Sequence, residues 1–460
     1  MPVDTVRRHV DDLIAELARS NVDGVLPNVP DRYCTDFGGL IRRIPRAVVR
    51  ATRELQVVDT LKTARRLGLP VTVRGQGHSC FGQTVTDGLL LLNDAAASAA
   101  PPLIDGDLAE VSARSRWREA EAFLNGHGRS FAVQADYLDL SVGGTLSVGG
   151  YGVDSVVYGA QVDHVDRIRL IKPDGAAVWC SALENTDLFA YALAGLGQVG
   201  VIERAVLRTI PHRAFTALFT YHHPNLGDLV DSMAWLAEST IDRPLLFKAL
   251  HARGRFVSTY GVQAANLREA ISATRRPPLH ARRVAHTWIT PKYRQWRSLV
   301  VKLWVARFAN CRRLWTDFLF DYEGLTFFTA FLEPLLKQEP FALCLKSVYI
   351  VAIRKLPRSI SFPLEASEGI REPMSFGIGL YSMIPARDPD LVTRVADTVS
   401  RCLEKCIELG GRPYRYGWHQ LSERSYRALY GSTYDQLLAL KRELDPQGLF
   451  QASRLPERRT

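Results

Sequence analysis

Three glycine-dense stretches, each joined to a short apolar run, constrain this chain more than any other feature. The first reads Val71-Thr72-Val73-Arg74-Gly75-Gln76-Gly77-His78-Ser79-Cys80-Phe81-Gly82-Gln83. A β-branched strand opens into two glycines one residue apart, followed by a histidine and a serine. The second runs from Asp136 through Ser141-Val142-Gly143-Gly144-Thr145-Leu146-Ser147 to Gly152, with five glycines in all, and the third is Ala194-Gly195-Leu196-Gly197-Gln198-Val199-Gly200-Val201-Ile202. Glycines in such loops let backbone N–H groups close on an anion with no Cβ in the way. Arg74 and Ser79 offer further donors to a pyrophosphate. The first stretch is neither the G-x-G-x-x-G of a Rossmann turn nor a P-loop, since no Gly-Lys-Ser/Thr follows. Alone, it is equally compatible with an ordinary glycine-rich turn. Three such loops in one chain make sense if one extended ligand lies against several backbone segments at once.

In this order and spacing the three segments resemble the flavin-binding half of the vanillyl-alcohol-oxidase type (PCMH) flavoproteins, and among them the cytokinin dehydrogenases. The likeness runs from about Ile44 to Pro211 and includes Asn185-Thr186-Asp187-Leu188-Phe189. The C-terminal part is different. Gly410-Gly411-Arg412-Pro413-Tyr414 and Leu444-Asp445-Pro446-Gln447-Gly448-Leu449-Phe450 look more like the aldonolactone-oxidase and decaprenylphosphoryl-ribose-oxidase branch. The resemblance implies an α+β, two-domain PCMH-type FAD-binding fold. In it, an N-terminal helix and lead-in (1–43) precede the FAD-binding domain (44–211). A substrate-binding α+β domain (212–409) is inserted before a C-terminal return (410–460) that completes the flavin domain.

The same resemblance assigns roles residue by residue. His78 matches the histidine that relatives bond covalently to the 8α-methyl of FAD, a tether that raises the flavin potential and fixes its position. No cysteine matches the second attachment point of doubly linked relatives, so a single link is implied. Cys80 reads as a small packed residue. Arg74, Gly75, Gln76, Gly77, Ser79 and Gln83 are implied contacts of the pyrophosphate and ribityl chain. Ser141, Gly144, Thr145, Ser147 and the Val201-Ile202 backbone are implied contacts of the phosphates, flavin and adenine. Tyr416 looks like the tyrosine beside the flavin. Asp136 matches the aspartate that relatives of the cytokinin type use as a base, where a carboxylate accepts the proton as hydride leaves carbon; an aspartate opening a turn is the plain alternative. The second acidic residue of the cytokinin enzymes has no counterpart. The lysine of the sugar-oxidising branch is also missing, and Trp418 or His419 stands near its place. His419 is a candidate proton acceptor near neutral pH, or else a structural histidine. The implied reaction is removal of hydride from a CH–OH carbon of a small polar, sugar-like substrate. Oxidation at CH–NH is the alternative, a non-catalytic flavin-fold binding protein a third, and the electron acceptor is dioxygen or another carrier.

Composition sets the frame. The chain has 460 residues, 47% of them hydrophobic and 23% charged, enough for two or three globular domains. Seven scattered cysteines form neither a disulfide framework nor a metal-ligand spacing. The N-terminus has no secretory h-region and no stretch is long and apolar enough to span a membrane, so the expected home is the cytoplasm. The excess of +10 is concentrated: eleven Lys or Arg residues and four tryptophans lie between Arg275 and Trp315, with no acid. Within it, Trp296, Leu299, Val300, Leu303, Trp304 and Phe308 recur at helical spacing. Three readings stay open: a core-facing helix with a solvated basic face, a peripheral membrane-surface helix, or a positive entrance for anionic ligands. Nucleic acid is not expected, as no binding motif accompanies the charge.

Local patterns supply the elements. Arg46 to Leu67 reads as one helix ended by Gly68. Strands are expected at 70–74 and 89–92, a helix near 116–126, and a Pro-Asp-Gly hairpin at 168–176. Strands at 215–221 and 247–260 open a new sheet, followed by a strand at 374–384 and a helix over 390–409.

Overall fold

The fold is described from a computed structural model, covering residues 14–450 other than 21, 23, 27, 95–98, 240–244, 253, 274–282 and 357–372. Three sheets follow one another along the chain. The first is small and all-parallel: β1 (Ala47–Arg50), β2 (Val71–Arg74) and β3 (Leu89–Leu92), in the order β1-β3-β2. Parallel strands need a crossover, and α1 (Glu54–Arg66) supplies it, laying Val57, Leu61 and Ala64 on the sheet. The stretch expected as one helix from Arg46 is therefore a strand followed by a helix. Val48 and Val49 pair with Leu90 and Leu91, so their β-branched side chains pack in the sheet core. Leu55, placed on the apolar face by its spacing, is exposed.

The second sheet contains β4 (Leu103–Asp105), β5 (Leu108–Ser112), β7 (Val165–Ile171), β8 (Ala177–Ser181) and β9 (Val201–Pro211), ordered β4-β5-β9-β7-β8, with β6 (Arg129–Phe131) paired to β9. The helices α2 (Trp117–Gly126) and α3 (Val142–Leu146) pack on it through Trp117, Ala120, Leu124 and Leu146.

The third sheet has eight strands: β10 (Phe215–His223), β11 (Leu245–Ala252), β12 (Arg255–Ala264), β13 (Arg283–Pro291), β14 (Cys311–Phe320), β15 (Leu345–Arg354), β16 (Met374–Pro385) and β17 (Arg412–Pro413). Their order is β13-β10-β12-β11-β15-β16-β14-β17. The 247–260 stretch is a hairpin of β11 and β12, with Gly254 at φ +74° in the turn. The helices α4 (Leu226–Ser239), α6 (Tyr322–Leu336) and α7 (Pro389–Glu408) cover one face and form the largest core with it. The other face turns toward the first half of the chain, and α5 (Tyr293–Ala306) runs along that seam.

The C-terminus ties the halves together. The segment after Gly410-Gly411 forms β17, an edge pairing of Arg412 and Pro413 with β14, so it still belongs to the third sheet. The return begins after it. In α8 (Glu423–Leu444), Tyr426, Tyr434, Leu437 and Leu438 enter the core of the second sheet. Phe450 bridges Val71 beside the first sheet.

Candidate active site

A cavity of about 480 Å³ lies between the glycine loops of the first half and the open face of the third sheet. That is within the ~300–1,000 Å³ of small-molecule sites. The glycines are there because the loops touch. A Cβ on Gly75 would stand 2.1 Å from Ser141 Oγ, so the first two loops close only without one. The third loop is pinned to the end of α3, where Ala194 N–H donates to Leu146 O at 2.8 Å and Leu196 N–H to Ser147 O at 2.9 Å. Ala194 and Leu196 hold φ of 53° and 56°, left-handed conformations that cost non-glycine residues energy and that cluster at ligand sites.

Gly75, Gln76, Gly77, His78, Ser79, Gln83, Ser141, Gly144, Thr145, Ser147, Val201, Ile202 and Tyr416 all line the cavity. Besides the Tyr416 hydroxyl, three of their polar groups are already committed to the scaffold. Gln83 Nε2 donates to the carbonyls of Arg415, Tyr416 and Gly417, Thr145 Oγ1 accepts from Trp117 Nε1, and Ser147 Oγ donates to Gly143 O. Arg74 does not line the cavity. Its guanidinium is spent on the carbonyls of Thr35, Thr84 and Arg32, so the expected donation to a pyrophosphate does not fit this placement. With its Cβ, Gly77 would collide with that guanidinium at 2.4 Å, so Arg74 shapes the loop from behind.

His78 reaches the cavity stacked on Phe37, ring centroids 3.8 Å apart. Burial, helped by the charge of Arg313, pulls its pKa down to about 4, so the imidazole is neutral at pH 7.

The opposite wall is built by strand register. Trp315 pairs with Tyr381, Asp317 with Gly379 and Leu319 with Gly377 across β14 and β16; Ser347, Tyr349 and Val351 of β15 continue the three rows. Alternate residues share a face, so all of these except Gly379 line the cavity. Gly379 leaves the space that its neighbours fill, since a Cβ there would meet Asp317 Oδ1 at 2.4 Å. Asp317 accepts hydrogen bonds from Tyr416 Oη (2.6 Å) and Tyr381 Oη (3.1 Å). Burial raises its pKa to about 6 despite those two bonds.

Asp136 lines the same cavity, and both of its oxygens are taken by Arg297 of α5, with Nε to Oδ1 at 2.6 Å. Burial pushes this carboxyl up, but the charge and hydrogen bonds of Arg297 outweigh it and the net shift is downward. Beside the pair stand Tyr349 and Lys248. The Tyr349 hydroxyl makes no hydrogen bond of good geometry. Leu250 pairs with Tyr349, so Lys248 points from the same face of β11. Its amine has no hydrogen-bond or ion-pair partner among the described residues. Burial, then repulsion from Arg297, lowers its pKa to about 7, against the pull of Asp136.

His419 is not part of this arrangement. It is buried behind the wall, with Nδ1 at 3.1 Å from Thr316 Oγ1 and Nε2 at 2.7 Å from Tyr414 O. Burial and Arg415 drop its pKa to about 3. A ring with both nitrogens engaged and no cavity surface does not serve as the proton acceptor expected of it. Sequence reasoning missed Lys248, Arg297, Asp317, Tyr349 and Tyr381. A signal existed for two of them: Lys248 and Asp317 are single charges inside the apolar runs Leu245–Leu250 and Leu314–Phe320.

The cavity fits an extended, flat, phosphate-bearing group. One side offers the Cβ-free cradle at Gly75 and Gly144; Gln76 Nε2 and Asn93 Oδ1 are buried there without partners, as is Trp315 Nε1 on the opposite wall. Comparison with known proteins agrees. Residues 45–181 match the family model described as an FAD binding domain. The chain is 34% identical over 192 residues to the uncharacterized oxidoreductase ORF5 in the fasciation locus of Rhodococcoides fascians, covering 42% of this chain and 44% of that protein. It is 33% identical over 217 residues to cytokinin dehydrogenase 4 of Oryza sativa subsp. japonica (44% of this chain, 40% of the relative). With cytokinin dehydrogenase 4 of Arabidopsis thaliana it shares 34% over 188 residues (37% and 36%). The matched stretch spans less than half the length of each of these relatives. Residues 45–181 thus carry an FAD binding domain, and the first half of the chain is similar to an oxidoreductase and to cytokinin dehydrogenases.

Proposed function

We propose that the protein is an FAD-dependent oxidoreductase that oxidises a CH–OH carbon of a small polar, sugar-like substrate. The observation that carries this reading is one cavity lined both by the glycine cradle and by the Asp136, Arg297 and Lys248 set. FAD bound there supplies the two-electron acceptor. Tyr349, Tyr381 and Trp315 offer flat faces against which the C–H side of a ring packs. Lys248, neutral in a large fraction at pH 7, receives the hydroxyl proton. Asp136 stays ionised, accepts a hydrogen bond from the substrate, and is kept in place by Arg297. Oxidation at CH–NH is the second reading, favoured by the likeness of the flavin half to cytokinin dehydrogenases. The neutral imidazole of His78 supports a covalent tether to FAD. Seven free cysteines support a reducing, cytoplasmic setting, and the electron acceptor is dioxygen or another carrier.

Anaerobic titration with aldoses, alditols and glycosides on one side and amines on the other tests the assignment. Bleaching of the flavin absorbance by the alcohols alone is the expected result; bleaching by amines alone replaces the first reading with the second. The tether is tested separately: acid precipitation keeps the yellow chromophore with the parent protein and releases it from His78→Ala.

A further inference from the structure

The helix α5 is built inside out. Its polar residues face the protein: Arg297 and Ser298 are 7% and 0% exposed, with Arg297 on Asp136 and Ser298 Oγ accepting from Leu138 N–H and from Arg118. A second, apolar stripe faces outward, while Trp304 and Val305 pack against the buried cluster around Trp315. Trp296, Leu299, Val300 and Leu303 are 45%, 49%, 43% and 62% exposed, and they lie at i, i+3, i+4 and i+7, one continuous stripe. Trp288 of β13 extends the stripe, edge-on to Trp296 with centroids 4.8 Å apart. Single exposed apolar residues are ordinary, but a contiguous apolar patch marks an interaction surface.

The rim names the partner. Lys292, one turn before Trp296, and Arg307, one turn after Leu303, are exposed, and Lys302 flanks the stripe. From Ala270 to Thr316 the sequence contains no Asp or Glu, and of these three cations Lys302 alone has an acidic partner among the described residues, Asp139 at 3.3 Å. Tryptophan and leucine framed by Lys and Arg match the interface of a bilayer carrying anionic headgroups, where the apolar stripe sinks to the acyl boundary and the cations stay at the phosphates. The helix has 14 residues and lies along the surface, which is the geometry of a helix in the interface plane. The same helix contributes Val300 and Trp304 to the cavity wall, so a docked membrane would lie against the cavity's edge.

We propose that the outward face of α5 docks this protein on an anionic membrane surface. Vesicle flotation of the full chain with its flavin tests it, using phosphatidylcholine alone and with 30% phosphatidylglycerol. The parent floats with the anionic vesicles about tenfold or more in excess over the neutral ones at low salt, and the excess falls in high salt as the charges are screened. Leu299→Ser/Leu303→Ser lowers binding to anionic vesicles by about tenfold or more while flavin content and circular dichroism are retained. Lys292→Glu/Arg307→Glu, which leaves the stripe untouched, loses the preference for anionic lipid. The proposal is overturned if the parent does not float with anionic vesicles at low salt, or if both double variants float as it does. It is equally overturned if the parent is a dimer that Leu299→Ser/Leu303→Ser converts to monomer, because the stripe then covers a second copy of the chain.

Discussion

Lys248 and Asp136 line one cavity whose surroundings lower the pKa of both, which keeps the carboxylate ionised and brings the amine to its neutral form near pH 7. Arg297 stands between them: it holds Asp136 ionised and repels a proton from Lys248. A base works when it has lost its proton, so the reductive half-reaction should rise with pH and level off above about 7, the value to which Lys248 is lowered. Lys248→Met should slow that step by about 10²–10⁴-fold and remove the inflection. Asp136→Asn should keep an inflection but move it down, because the carboxylate that favours the protonated amine is gone while Arg297 remains. Stopped-flow reduction at a series of pH values distinguishes these outcomes. An inflection that survives in Lys248→Met takes the proton-accepting role from this lysine.

At the scale of elements, α5 and the third sheet do what short-range sequence patterns do not reveal. The glycine loops were legible because each lies within about a dozen consecutive residues, and Gly75 or His78 can be read from its neighbours. The opposite wall was not. Lys248, Asp317 and Tyr349 meet only because β11, β14 and β15 adopt one register, set by strands that are distant from one another in the chain. In α5 the helical spacing of Trp296, Leu299, Val300 and Leu303 was visible, but the assumption that an apolar stripe faces the core points it the wrong way. The buried stripe is instead the one that carries Arg297. Breaking a buried ion pair by removing one partner costs about 3–5 kcal/mol. Arg297→Met should therefore destabilise the protein by that order in denaturant unfolding. It should also raise the inflection in the pH profile above 7, since Lys248 loses its repulsive neighbour and gains Asp136 as a partner. A variant with parental stability and an unmoved inflection would show that the pair is incidental to the site.

For the whole molecule, the order of elements along the chain differs from their order in space. The first half does not end where its glycine motifs end. Its core includes Tyr426, Leu429, Tyr430, Tyr434, Leu437 and Leu438 of α8, more than two hundred residues beyond β9. Lys441 Nζ donates to Phe450 O at 2.7 Å, and the Asp445 carboxylate accepts from Leu449 and Phe450 N–H, which sets Phe450 against the first sheet and at the cavity. Of the segment 410–460, read from the sequence as a return to the first half, β17 remains with the third sheet. Emptying a buried large apolar site costs about 2–5 kcal/mol, and a whole domain is stable by only about 5–15 kcal/mol. Six such side chains removed together exceed that margin. A chain ended after Leu421 keeps every glycine loop, His78, Asp136, Lys248 and Tyr416, yet should neither fold nor retain flavin, as read by circular dichroism and by the visible spectrum of the soluble fraction. If that shortened chain is soluble, folded and yellow, α8 is an accessory and the glycine-loop half holds itself together without it.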